Sequence, residues 1–278
     1  MNGSIIVAGS GITLGQMTME TQNYIKTADV VYYVLTDIVT ESWVTENARI
    51  AHSMKEYYEE GVGRIHTYIK MANTVLDAAR QGHNVCALFY GHPGIFVTPS
   101  HEIVRIARAE GIPARMLAGV SAEDCLVADF GFDPGKTGCA AYEATQLLAY
   151  PKKLDTAAWL IIWQPEATGD VAYTKNRQYA QKVQILRDYL LKFYLPDTKA
   201  AVYEANTYSI GAPKIEWKMI KDLCDFELSG ISTLVIPPAT KAEMDLENVY
   251  ALGIPEVVSN RHTSDYSTES EAAEWNTP

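Results

Sequence analysis

The sequence predicts an α/β fold built from two lobes. Up to residue 134, apolar runs of strand length alternate with helical stretches, which is typical of a parallel sheet flanked by helices. After Asp133-Pro134-Gly135-Lys136, strands become more frequent. We therefore predict a first lobe at residues 1–134 and a second α/β lobe at 135–258. The stretch 259–278 is polar and poor in apolar residues, so we expect it to be flexible.

The first lobe opens with a strand at 4–8, a glycine loop from Gly9 to Gly15 and a helix at 18–27. Strand, glycine loop and helix in this order are also found in dinucleotide-binding sites. Here the third glycine is not at the spacing that those sites require. No acidic residue ends the second strand, where one would bind a ribose hydroxyl of the dinucleotide. We therefore expect no NAD or FAD site, and favour a tight turn that lets the helix pack close to the sheet.

Apolar periodicity places the remaining elements of the first lobe. We predict strands at 29–35, 85–89 and 114–117 and helices at 40–47, 64–81 and 99–110, followed by a helix that begins after Ser121. Ser121 is a predicted N-cap, with Asp124 in the capping-box position.

The helix at 64–81 leaves two interpretations open. Arg64 and Tyr68 are four residues apart and share one face. In the structural interpretation, Tyr68, Ile69, Val75 and Leu76 form a buried stripe and Arg64 is solvated. In the functional one, a guanidinium lies beside a phenol in a cleft and favours its phenolate form.

The stretch from Ala87 to Val97 is a candidate ligand site. An apolar strand ends at Phe89, and Gly91, Pro93 and Gly94 then stop any regular structure. Tyr90 and His92 follow the strand, and ligands of open α/β sheets bind at the carboxyl ends of strands. An ordinary turn is the alternative.

In the second lobe, strands are predicted at 139–144, 158–163, 199–204, 213–217 and 232–236, with a helix at 178–193. Gln164 ends one apolar strand, and Glu204-Ala205-Asn206 ends another. Polar residues at strand ends often face a cleft between lobes, so both places are site candidates.

Composition narrows the possible partners. The net charge is -11, from 34 acidic and 23 basic residues, which argues against nucleic-acid binding. No apolar run is long enough to span a membrane, and the N-terminus has no signal-peptide features, so we expect a cytoplasmic protein. The four cysteines are scattered, which indicates reduced thiols, and no metal site is expected.

Several blocks, taken together, resemble the tetrapyrrole methylase superfamily of S-adenosylmethionine (SAM) enzymes. They are Gly9-Ser-Gly11, Tyr90-Gly-His-Pro-Gly-Ile-Phe-Val97, Leu117-Ala-Gly-Val-Ser-Ala-Glu-Asp124, Tyr142-Glu-Ala144 and Ile231-Ser-Thr-Leu-Val-Ile-Pro237. Tyr57, Tyr58, Arg64 and Tyr68 are spaced as in the borosin peptide backbone α-N-methyltransferases, and the resemblance covers about residues 4–255.

The resemblance implies the two-lobed class III SAM methyltransferase fold, with a mixed sheet flanked by helices in each lobe, and a homodimer. SAM would bind between the lobes and leave as S-adenosylhomocysteine. The implied cofactor contacts are Tyr90, His92, Ile95, Phe96, Val97, Ser121, Ala122, Gln164, Ala205, Ser232 and Thr233. The implied catalytic residues are Arg64, Tyr68 and Tyr90, with Tyr58 in support.

Two departures from the family pattern affect the expected substrate. Lys55 stands where the family has its first loop tyrosine, so no role of that tyrosine, including one in substrate binding, is carried over to this sequence. The fungal enzymes end in a long extension that carries the peptide to be methylated, and the tail of this sequence holds no apolar peptide. We therefore expect the split form, in which the precursor is a separate polypeptide that can form a heterotetramer with the enzyme.

The implied chemistry suits these side chains. An amide nitrogen is a poor nucleophile because its lone pair is delocalised into the carbonyl. We expect Tyr68 to accept the amide proton, directly as a phenolate or through water, and Arg64 and Tyr90 to stabilise charge on the carbonyl oxygen. The alternatives are a methyltransferase acting on a tetrapyrrole or other small molecule, and a catalytically inactive protein that binds a peptide.

Overall fold

Two five-stranded sheets follow one another along the chain. The computed structural model describes residues 3–174, 179–208 and 210–254. The strands of the first sheet, in the order β3-β2-β4-β1-β5, are all parallel. They are β1 (Ser4–Gly9), β2 (Val30–Val34), β3 (Ala51–Ser53), β4 (Asn84–Phe89) and β5 (Ala114–Met116).

Helices cover both faces of the first sheet. They are α1 (Met19–Thr27) and α2 (Ile38–Asn47) on one face, and α3 (Arg64–Arg80) and α4 (Thr98–Ala109) on the other. Side chains alternate along the central strand, so that Val85 and Ala87 meet α3 and α4 while Cys86 and Leu88 lie on the opposite face. A central strand that is buried on both sides explains the unbroken apolar run.

The second sheet is mixed, with the order β6-β7-β10-β8-β9. Its strands are β6 (Cys139–Glu143), β7 (Trp159–Trp163), β8 (Lys199–Glu204), β9 (Lys214–Met219) and β10 (Thr233–Ile236). Only β6 and β7 pair in parallel, and the other three pairings are antiparallel. One face is covered by α7 (Ala144–Ala149), α8 (Ala180–Leu190) and a 3₁₀ segment at Ile220–Asp225.

The helix α5 (Ala122–Phe130) joins the two halves. It follows the first sheet in sequence, yet Leu126 is buried with Ile161 and Val235 of the second sheet. The ring of Phe130 makes edge-on contacts with Trp159, Tyr203 and Trp217. Two short helices, α6 (Pro134–Thr137) and α9 (Leu246–Ala251), complete the described chain.

Most of the predicted elements are found within a few residues of their expected bounds. The first sheet is wholly parallel, as alternation of strands and helices predicts; the mixed sheet that the resemblance implies for each lobe occurs only in the second. The predictions missed β3, α6, α7 and α9, which are three to six residues long and too short for a periodic pattern.

Two expectations concern residues outside the described ranges, and one part of the α3 interpretation is wrong. The tail at 259–278 and the first residue of the helix predicted at 178–193 lie outside the described residues. Ile69, placed in the buried stripe, is 51% exposed, whereas Val75 and Leu76 are buried as predicted, together with Met71. The lobe boundary at 134 and 135 stays a prediction.

The ends of β1 and β4 are held together by backbone contacts between glycines. The Gly91 N–H donates to the Gly11 carbonyl at 2.9 Å, and the Gly11 N–H donates to the Gly91 carbonyl at 3.3 Å. A Cβ atom on Gly9 would lie 2.2 Å from the Gly91 carbonyl oxygen. Because the obstruction is backbone, no side-chain rotation can relieve it, and glycine is required at position 9.

This close approach predicts a difference between two glycines of the same loop. Gly9→Ala should lower the free energy of unfolding by about 1–3 kcal/mol or more, because the β1 and β4 ends must move apart. Gly15→Ala should change it by less than about 0.5 kcal/mol, since the added Cβ would meet only Thr13 Oγ1 at 3.9 Å. Chemical denaturation measures both. Equal stability of the two variants would contradict the contact.

Candidate functional site

A cavity of about 900 Å³, counting space open to solvent, lies where the ends of the two sheets face each other. All eleven residues implied as cofactor contacts line it: Tyr90, His92, Ile95, Phe96, Val97, Ser121, Ala122, Gln164, Ala205, Ser232 and Thr233. They come from five separate stretches of the chain. The structure therefore gathers the whole set around one space, while their cofactor roles stay predictions.

The wall from the first lobe is the turn after β4. Its shape is fixed by side chains, since the Gly94 N–H donates to His92 Nδ1 at 2.9 Å and His101 Nε2 lies 2.9 Å from the Gly94 carbonyl oxygen. Because Nδ1 of His92 accepts a hydrogen bond, we assign its proton to Nε2 when the ring is neutral. The His92 ring then offers an N–H donor to a ligand.

The start of α5 closes this wall. Ser121 is buried, and its hydroxyl accepts from the Asp124 N–H at 3.1 Å while its own N–H donates to the Asp124 carboxylate at 2.6 Å. This is the capping box that the sequence predicts. Ser121 and Ala122 thus bring the first turn of a nine-residue helix to the cavity.

The wall from the second lobe comes from the ends of β7, β8 and β10. Phe96 contacts Trp163 across the cleft, with ring centroids 5.3 Å apart. Phe96 and Gln164 have φ angles of 55° and 54°, and in the described part of the chain they are the only residues other than glycine with positive φ. Both line the cavity, one from each lobe. Such strained conformations concentrate at functional sites.

The implied catalytic residues lie next to this cavity. Gly63 precedes α3, and Arg64 is the first residue of that helix. Residues 61–64 pair with residues 171–173 of the second lobe. The Gly61 N–H donates to Tyr173 O at 2.9 Å, the Tyr173 N–H to Val62 O at 3.0 Å, and the Arg64 N–H to Val171 O at 3.1 Å. The ring of Tyr58 packs on that of Tyr173, with centroids 5.2 Å apart.

Arg64 and the three tyrosines influence one another electrostatically. Burial raises the pKa of Tyr58. The neighbouring phenols of Tyr68 and Tyr90 raise that pKa further, whereas the Arg64 guanidinium lowers it. Burial also raises the pKa of Tyr90, with Tyr68 adding to the rise and Arg64 opposing it. Tyr58 and Tyr90 are therefore neutral at pH 7 and can donate hydrogen bonds. This mutual influence favours the cleft interpretation of Arg64 and Tyr68 over the solvated one.

Tyr90 connects the two groups of residues. It belongs to the Arg64–tyrosine cluster, where burial of its hydroxyl raises its pKa, and it also lines the cavity, although 41% of the whole residue's surface is exposed. A ligand in the cavity thus lies against the hydroxyl-bearing cluster.

Lys55, which departs from the family pattern, has a structural partner. Its ammonium nitrogen lies 2.8 Å from Glu41 Oε2 on α2, and the Tyr33 hydroxyl donates to the other oxygen of Glu41 at 3.1 Å. The side chain at this position therefore ties the loop before α3 to the first lobe.

Sequence reasoning missed several residues of the cavity wall. They are Ile12, Thr36, Trp163, Tyr203, Thr207, Gly230 and Ile231, whereas Gly91 lies within the predicted ligand-site stretch. Thr36 follows β2, so the strand-end rule could have found it. Trp163 and Tyr203 lie within strands, and their apolar surroundings resemble those of core residues. In the described part of the chain, no three His, Cys, Asp or Glu side chains are arranged to hold a metal ion.

Among residues 3–174, 179–208 and 210–254, none of the helices combines the length and apolar character that crossing a bilayer requires.

Comparison with known proteins identifies relatives. A methyltransferase/ribosomally synthesized type I borosin cyclic peptide precursor from Serendipita vermifera subsp. bescii is 42% identical over 260 residues, which cover 91% of this chain and 63% of the relative. A protein of the same description from Mycena rosella is 39% identical over 264 residues, covering 92% and 66%. The chain thus spans less than two thirds of the length of these relatives.

Solved structures share the fold. Uroporphyrin-III-C-methyltransferase from Thermus thermophilus superposes with a TM-score of 0.60 at 17% identity, covering 92% of this chain and 98% of that one. Another structure, of uroporphyrin-III C-methyl transferase complexed with S-adenosylhomocysteine, gives a TM-score of 0.59 at 16% identity, with 84% and 92% covered.

A family model described as Tetrapyrrole (Corrin/Porphyrin) Methylases matches residues 4–210, which is well over half of the 278 residues. The chain therefore belongs to the tetrapyrrole methylase family.

Proposed function

We propose that this protein is a SAM-dependent methyltransferase that N-methylates backbone amides of a ribosomally made precursor peptide, as in borosin biosynthesis. One observation carries the proposal: Tyr90 lines the large cavity and also belongs to the cluster of Arg64, Tyr58 and Tyr68. A cofactor pocket and a group of side chains suited to amide chemistry therefore meet at one residue. The borosin relatives support the choice of a peptide as the substrate.

The lining of the cavity suits the chemistry of SAM. Phe96 and Trp163 provide apolar surface for a flat base, while Ser121, Ser232 and Thr233 provide hydroxyls for polar groups. When bound, SAM supplies an activated methyl group on a sulfonium.

The protein side chains then act on the peptide. Tyr68 accepts the amide proton, directly or through water, and Arg64 stabilises the negative charge that develops on the carbonyl oxygen. Tyr90 is a neutral phenol and donates a hydrogen bond to the carbonyl oxygen, on which charge develops as the nitrogen loses its proton. Tyr58, also neutral, supports Tyr68.

Arg64→Ala and Tyr68→Phe should each lower the methylation rate by about 10²–10⁴-fold, since they remove charge stabilisation and the proton acceptor. Binding of S-adenosylhomocysteine should change little, because neither residue lines the cavity. Mass spectrometry of the product and calorimetry measure the two effects.

Two variants serve as matched controls. Arg105→Ala changes an exposed arginine of α4 that pairs with Glu102. Tyr24→Phe removes a tyrosine hydroxyl that contacts Arg115. Both should keep the wild-type rate. If Arg64→Ala or Tyr68→Phe also methylates at that rate, the assigned roles are wrong.

The substrate class is tested with SAM and candidate precursor peptides added in trans. These are short reading frames beside the gene and the precursor segment of the Serendipita relative. We expect the mass of the peptide to increase by the replacement of amide hydrogens with methyl groups. Fragmentation should then locate these methyl groups on backbone nitrogens. Methylation of uroporphyrinogen with unmodified peptides would favour the tetrapyrrole alternative. Binding of the peptides without any methylation would favour the catalytically inactive alternative.

Added peptides also test two further expectations from the resemblance, the separate precursor and the oligomeric state. Modification of an added peptide would support a separate precursor polypeptide. Light scattering of the enzyme, alone and with peptide, distinguishes a homodimer from a heterotetramer with the precursor. The cytoplasmic location stays a prediction.

A further inference from the structure

Glu204, the last residue of β8, lies behind the cavity wall. Its neighbours Tyr203 and Ala205 line the cavity, and Glu204 does not. The Glu204 side chain is only 16% exposed, although it carries a carboxylate. A carboxylate in such a place needs partners that offset the loss of water.

Those partners come from the turn that precedes β10. The turn closes on itself, because the Ser229 N–H donates to Ser232 Oγ at 2.8 Å and the Ser232 N–H donates to the Ser229 carbonyl at 3.0 Å. Its next residues, from Gly230 to Thr233, all line the cavity. The shape of this turn therefore decides the shape of one cavity wall.

A single oxygen of Glu204 holds the turn. Oε1 accepts the Ser232 hydroxyl at 2.6 Å and the Ser229 hydroxyl at 2.7 Å. The Lys214 ammonium nitrogen lies 3.7 Å from the same oxygen and donates to the Glu227 carbonyl at 3.1 Å. Short hydrogen bonds to an ionised acceptor are the stronger kind in proteins. They tie the turn to the end of β8, where Ala205 forms the adjoining wall.

We propose that Glu204 is a positioning residue for the cofactor, which fixes the turn at 229–232 so that Ser232 and Thr233 meet SAM in a preset geometry. This inference rests on the proposed function, since it takes SAM and its product as the ligands. Ser232 is buried, so without the carboxylate its hydroxyl loses its acceptor and must rotate or draw water into the wall.

Calorimetric titration with S-adenosylhomocysteine tests the role. Glu204→Ala should bind at least about tenfold more weakly than wild type, because the turn loses its acceptor. Glu204→Gln should recover most of that loss, since its amide oxygen can still accept both hydroxyls. Glu216→Ala, on the neighbouring β9 and paired with Lys218 at 2.7 Å, is the matched control and should bind as wild type does.

Ser229→Ala provides a second variant that removes one tie without touching a lining residue. It should weaken binding in the wild-type background and add nothing in the Glu204→Ala background, because both changes break the same link. Thermal unfolding confirms that each variant is folded at the titration temperature.

The outcomes separate this inference from the proposed function. If wild type binds S-adenosylhomocysteine while folded Glu204→Ala or Ser229→Ala binds equally well, Glu204 has no positioning role. If wild type does not bind it at all, the proposed cofactor is wrong and the positioning role is wrong with it.

Discussion

Three backbone hydrogen bonds between residues 61–64 and 171–173 decide where Arg64 and Tyr68 lie. They attach the loop before α3 to the second lobe, although α3 packs on the first sheet. Arg64 is the first residue after this attachment, and Tyr68 follows one turn later. Because hydrogen bonds of the main chain do not depend on side-chain identity, the loop can vary in sequence, apart from Gly61 with its φ of 77°, while the start of the helix stays in place.

The ionisation of the tyrosines follows from this placement. A phenol that is buried beside other phenols holds its proton, and a nearby guanidinium weakens that tendency. Tyr58 and Tyr90 experience both influences, and burial is the larger. The cluster therefore contains neutral donors and a fixed positive charge, which is an arrangement that can stabilise charge on a carbonyl oxygen without metal ligands from the protein.

Local patterns predicted the fold better than they predicted the site. The apolar runs of β1 and β4 and the Ser121 capping box identify their elements because the cause lies within a few residues. Arg64 and Tyr68 were ambiguous, since spacing alone does not say what faces a helix. Their environment comes from Tyr90 and from residues 171–173, which are distant in sequence. The resemblance to the family identified eleven residues that line the cavity. Nothing in the sequence around Trp163 and Tyr203 distinguishes a residue of the cavity wall from a residue of the core.

The position of α5 has a consequence for how a ligand enters. This helix belongs to the first half by sequence, and its apolar side packs on the second sheet through Leu126 and Phe130. Lifting this apolar side off the second sheet would cost about 25 cal/mol for each Å² exposed, so α5 moves with that sheet when the halves swing apart. Such a swing would have to bend the chain between β5 and Ser121, at the edge of the cavity itself.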